Sequence, residues 1–133
     1  MAPHNTDKII LLDTNAVIRY ILNDVSEQHN KVKNCIRSKP VVVRYEVIAE
    51  AVYVFESVYN MQRADIADIM KKFLSTKNVR TQNPATIFVA LTLFEKRKMD
   101  FVDCILCAFN TVNGYGVFTF DKEINKLLIG NVL

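Results

Sequence analysis

Asp13 closes the apolar run Ile9-Ile10-Leu11-Leu12, and Asp121 closes Val117-Phe118-Thr119-Phe120, so two carboxylates far apart in the chain hold equivalent places. Glu50 lies in VIAEAVYVF among apolar neighbours, and Asp100 and Asp103 lie in MDFVDCILCAFN. Carboxylates gathered without counter-charges raise one another's pKa values, and a divalent cation reverses that penalty. Hard oxygen donors favour Mg²⁺ or Mn²⁺, with water completing the shell. Such an ion polarises a phosphate and generates hydroxide for in-line attack, so the chemistry indicated is phosphodiester hydrolysis.

Each acid also has a plainer use. Asp is a favoured N-cap, and Asp13 and Asp121 each precede a helical pattern, so capping competes with ligation for both. Glu50 falls at the margin of the stripe formed by Val47, Ile48, Ala51, Val54, Phe55 and Val58, where a solvated helix flank is the common case. Glu46, one turn earlier and farther from that stripe, ranks below it. Asp100 and Asp103 have the spacing of an N-cap and its third helical residue. Capping does not explain their helix, in which apolar residues spread nearly all round. Burial of an ionised Asp103 there requires a partner, and the helix holds no Lys or Arg.

These residues need a frame. Ile9–Leu12 reads as a strand buried on both faces, Val41–Val43 as a second, the start at Val79 as a third and Val117–Phe120 as a fourth. Helical patterns fall between them over 16–22, 26–37, 45–58, 64–74, 84–98, 100–110 and 122–128. The alternation predicts a layered α/β domain with a mostly parallel sheet and right-handed crossovers. Ligands of such sheets bind outside the carboxyl ends of the strands. Were the first and fourth strands neighbours, about 4.8 Å between their axes would bring Asp13 and Asp121 within reach of one cation.

The 133 residues, half of them hydrophobic, with three Gly and three Pro, suit one domain spanning 1–133, with residues 1–7 as a flexible tail. No linker, repeat or low-complexity tract interrupts it. No apolar run approaches the roughly 20 residues that cross a bilayer, and no signal-like segment opens the chain, so a cytoplasmic protein without membrane contact is expected. Cys35, Cys104 and Cys107 are odd in number and sit in helical stretches, which fits reduced thiols. Cys104-x-x-Cys107 has no second Cys pair and no nearby His, so buried thiols are expected rather than a zinc site.

The strand ending in Asp13-Thr14-Asn15, the AEAVYVF helix with Glu50, the DFVDCILCA segment with Asp100 and Asp103, and Thr119-Phe120-Asp121-Lys122 together resemble the PIN-domain nucleases. Among these they are most similar to the VapC-type toxins of bacterial and archaeal toxin-antitoxin pairs. The resemblance runs from Ile9 to about Leu128. It implies a three-layer α/β/α fold around a mostly parallel sheet of four or five strands, although a fifth edge strand is not evident after Leu128. It implies a Mg²⁺- or Mn²⁺-dependent endoribonuclease in which Asp13, Glu50, Asp103 and Asp121 bind the metal, with Asp100 beside them. It further implies that Asn15 and Thr119 help to orient the acids, that the protein is a homodimer, and that a small cognate antitoxin places its tail in the cleft. Setting those four ligands aside leaves 10 acidic residues against 17 basic ones, a balance that favours an RNA substrate.

The competing readings are weaker. A haloacid-dehalogenase-type phosphatase needs a second Asp two positions after the first, where Asn15 stands. A response-regulator receiver needs paired acids after its first strand, and only Leu11 and Leu12 precede Asp13. Histidine chemistry is poorly served, with His4 in the tail and His29 in a polar segment, both expected at the surface. No G-x-S-x-G elbow or Walker loop occurs. Lys96-Arg97-Lys98 is read as complementing a helix C-terminus, and Tyr45, Tyr53 and Tyr59 as packing residues rather than base-stacking platforms. The alternative to a nuclease is a non-catalytic RNA- or protein-binding module with a retained acidic cleft.

Overall fold

The computed structural model describes residues 8–130, so the expected N-terminal tail over 1–7 lies outside the described residues. The order is β1 (Ile10–Leu11), α1 (Thr14–Leu22), α2 (Ser26–Ser38), β2 (Val41–Val42), α3 (Tyr45–Ser57), α4 (Arg63–Leu74), β3 (Val79–Arg80), α5 (Pro84–Lys96), α6 (Phe101–Asn113) and α7 (Lys122–Leu127). Local signals set most of these boundaries. Asp13 accepts the Ala16 amide to start α1, and Asn23 ends it in the left-handed region. Pro84 opens α5, where its missing N–H costs nothing, and Gly114 closes α6 at φ 72°.

The sheet is parallel in the order β1-β2-β3, with Ile10 opposite Val41 and Val41 opposite Val79. Its centre is sealed, since Val41 and Val43 are fully buried together with Ile48, Phe55, Ile66, Met70 and Leu91. Each large apolar side chain so removed from water contributes about 1.5–3 kcal/mol. The fold is therefore a helix-rich α/β arrangement on a parallel sheet.

Two sequence expectations change. Three paired strands are seen among the described residues, not four or five, because Val117–Phe120 forms no ladder. Side chains of α6 and α7 take up backbone groups just before and within this segment instead. Asn110 donates to the Tyr115 carbonyl and Asn125 to the Thr119 carbonyl, while the Thr119 hydroxyl accepts the Asp121 amide. Consequently β1 is an edge strand rather than one covered on both faces. Ile9 and Leu11 remain exposed, while Leu12 alone of that run is buried.

Candidate active site

Asp13 and Thr14 follow β1 directly. The Asp13 carboxylate uses Oδ1 to accept the Ala16 amide at 2.8 Å, and Oδ2 has no hydrogen bond among the described residues. Asp121 repeats the arrangement, its Oδ1 accepting the Ile124 amide at 2.9 Å. Both acids are thus N-caps, and a cap occupies only one of a carboxylate's two oxygens. The Thr119 hydroxyl holds the Asp121 amide at 3.0 Å, fixing the turn that presents this acid.

Glu50 is exposed on α3, and the Thr14 hydroxyl donates to its Oε2 at 3.1 Å. This contact joins the start of α1 to the middle of α3. Thr14 was not among the residues singled out from sequence, although its place directly after Asp13 was a usable signal. Asn15 is exposed and lines a cavity of about 210 Å³ with Asp13, Arg19 and Lys31.

Asp100 and Asp103 occupy the other flank. Asp100 is the N-cap of α6 without a side-chain cap bond, and Asp103 stands in the first turn. Burial pushes the Asp103 carboxyl above the ordinary range, and the charges of Asp100 and Asp121 raise it further. No cation appears among the groups acting on it. Its helix is less enclosed than the sequence implies. Val102 and Leu106 are exposed because α6 packs against α5 and α3 along one side, so Asp103 is half-buried rather than deeply packed.

A cavity of about 460 Å³ opens beside these acids, with Phe94, Phe101, Ala49 and Val52 among its apolar walls and Asp100, Asp103 and Glu56 as its carboxylates. Arg63 braces the approach to it. Its guanidinium donates to the carbonyls of Phe94, Arg97 and Met99 and to Glu56, and lies 3.6 Å from the centre of the Phe94 ring. Met99 immediately precedes Asp100, so Arg63 holds the turn from which both α6 acids project. Sequence reasoning missed Arg63, since nothing near it in the chain marks a partner more than thirty residues away.

The donor set suits a hard divalent ion in type and charge, with Glu50 joined to Thr14 beside Asp13, and with Asp100 and Asp121 acting on Asp103. Among the described residues no three His, Cys, Asp or Glu are gathered closely enough to hold an ion. The thiols are no substitute. Cys104 is buried and its pKa is pushed up to about 12, chiefly by desolvation, and all three cysteines are free. His29 is half-buried rather than at the surface, with Nδ1 2.8 Å from the Tyr20 carbonyl and its ring stacked on Tyr20. Tyr45 packs edge-on to Phe109, whereas Tyr53 is exposed.

No helix among the described residues is long and apolar enough to cross a membrane. No curated protein and no solved structure shows significant similarity to the chain. The model of the PIN domain family matches residues 10–128, and the chain belongs to that family. PIN domains are generally nucleases and typically use divalent metals, which supports a nuclease role here.

Proposed function

We propose that this protein is a Mg²⁺- or Mn²⁺-dependent endoribonuclease, the toxin of a toxin-antitoxin pair, acting in the cytoplasm as a homodimer. The observation that carries the reading is electrostatic. Burial and the neighbouring charges of Asp100 and Asp121 act against the Asp103 carboxylate with no cation offsetting them, an arrangement that costs stability and that a divalent ion relieves. Asp13, Glu50, Asp103 and Asp121 would hold the ion, with Asp100 beside them. When bound, it supplies positive charge to a phosphate and an activated water.

The chain's own contribution is orientation. The Ala16 and Ile124 amides fix Asp13 and Asp121 through one oxygen each, Thr14 fixes Glu50, and Thr119 fixes the turn before Asp121. Hydrogen bonds of this kind hold carboxylates in a productive geometry. Asn15, at the same end of α1 and lining one cavity with Asp13, would assist. The apolar cavity rimmed by Glu56, Asp100 and Asp103 suits a tail with a basic side chain among apolar ones, and we assign it to the tail of the antitoxin. The homodimer rests on the resemblance alone.

Cleavage of RNA with and without chelator, with Asp13→Asn as control, tests the reading. Activity indifferent to both changes would refute it. That no three carboxylates are gathered closely enough to hold an ion among the described residues favours a second reading, a binding module with a retained acidic cleft. Tight RNA binding without cleavage in the presence of Mn²⁺, in protein free of inhibitor, would select that one.

A further inference from the structure

The basic residues are as unevenly placed as the acids. Residues 28–45 and 69–94 contain no Asp or Glu, yet they carry nine of the 17 Lys and Arg. The fold joins these stretches, since β2 pairs with β3 and the Asn78 amide donates to the Ile36 carbonyl at 2.9 Å. Between the C-terminal half of α2 and the turn entering β3 lies a cavity of about 320 Å³, lined by Lys33, Arg37, Lys77, Tyr20, Thr76 and Asn78 among others. No carboxylate lines it, and none of its three cations is in an ion pair among the described residues.

Such a cluster needs a reason. Lys33 and Arg37 are four apart on one helix, where like charges face each other and destabilise it. The negative end of α2 compensates Arg37 in the last turn, but a helix terminus carries only about half a charge and acts within one turn, so the other two cations are unanswered. An anion answers all three. The cavity is near the small end of ligand sites, roughly 300 Å³ upward, which admits one nucleotide unit and not a duplex.

Its position connects it to the acids. Lys77 and Asn78 directly precede β3, so this cavity lies where strands begin, while Asp13 lies where β1 ends. Helix α2 borders both places, for Gln28 and Lys31 line the cavity that contains Asp13 and Asn15. From Lys31 to Arg37 the helix advances about 9 Å along its axis.

We propose that the Lys33–Arg37–Lys77 cavity is an exosite for backbone phosphate of single-stranded RNA, holding the strand on the side of α2 away from Asp13. The site rests on the endoribonuclease reading for its ligand, but its test does not require cleavage.

Binding of a labelled single-stranded RNA is measured in chelator, as a function of salt, for the full chain and for Lys33→Gln/Arg37→Gln/Lys77→Gln. The triple variant should bind about tenfold or more weakly, with the salt slope reduced by about 2, since each phosphate contact on a single strand contributes roughly 0.7. Lys8→Gln/Lys96→Gln/Lys98→Gln, an equal charge change elsewhere, should lose much less. If the first triple fails to fold, the exposed pair Arg37→Gln/Lys77→Gln replaces it. Unchanged affinity and slope overturn the exosite, and equal losses in both triples reduce it to general charge and overturn it as well. Binding of adenosine monophosphate that the first triple loses while its RNA affinity is unchanged assigns the cavity to a small phosphate ligand, against the proposal. A wild-type protein that binds through this cavity and cuts nothing upholds the exosite while refuting the nuclease.

Discussion

The Thr14 hydroxyl donates to the Glu50 carboxylate at 3.1 Å, linking residues 36 positions apart on two helices. Glu50 is exposed and has no other hydrogen-bond donor among the described residues, so its orientation depends on this contact. Thr14→Val should lower RNA cleavage by about 10- to 100-fold, the usual effect of losing a group that orients a ligand. Thr14→Ser should restore it. Melting temperature should scarcely move in either variant, which separates orientation from folding.

Asp13 and Asp121 each combine a cap with the proposed metal chemistry, and two substitutions separate these roles. Asn caps about as well as Asp, so Asp13→Asn and Asp121→Asn should keep stability within about 0.5 kcal/mol while abolishing cleavage. Alanine at either position should abolish cleavage and also cost about 1 kcal/mol in urea unfolding. Equal activity in the Asn variants and wild type would leave both residues as caps only.

Asp103 should act against stability at neutral pH. Burial and its acidic neighbours place its folded-state carboxyl above the ordinary value. The neutral form is therefore favoured by folding, and that contribution is complete below the ordinary carboxyl pKa and lost as pH rises through the raised one. Asp103→Asn escapes the loss. In metal-free buffer the variant should melt higher than wild type at pH 7, and the difference should vanish near pH 3.

Arg63 anchors three carbonyls and Glu56 while covering the Phe94 ring. Hydrogen bonds from a charged donor contribute roughly 1.5–3 kcal/mol, and a desolvated stack adds to them. Arg63→Ala should therefore cost at least about 2 kcal/mol by urea unfolding. Arg63→Lys should recover only part of this, because one ammonium cannot replace a planar fork.

The sequence by itself determined the caps and the helices and singled out the candidate acids. Asp13 and Asp121 before helical patterns, Pro84 at a helix start and the apolar stripes of 45–58 and 64–74 act within a few residues, so their meaning is visible locally. Membership in the family was likewise readable from the acids and their flanks. Tertiary structure decided what depends on distant partners. Val117–Phe120 has strand composition, yet Asn125 takes the Thr119 carbonyl and Asn110 the Tyr115 carbonyl just before the segment, and no local pattern reveals which partner wins. The Thr14–Glu50 contact, the Arg63 brace, the half-exposed Asp103 and the meeting of two acid-free stretches around one cavity have the same origin. Each depends on how helices pack across the sheet, and packing pairs residues through space rather than along the chain.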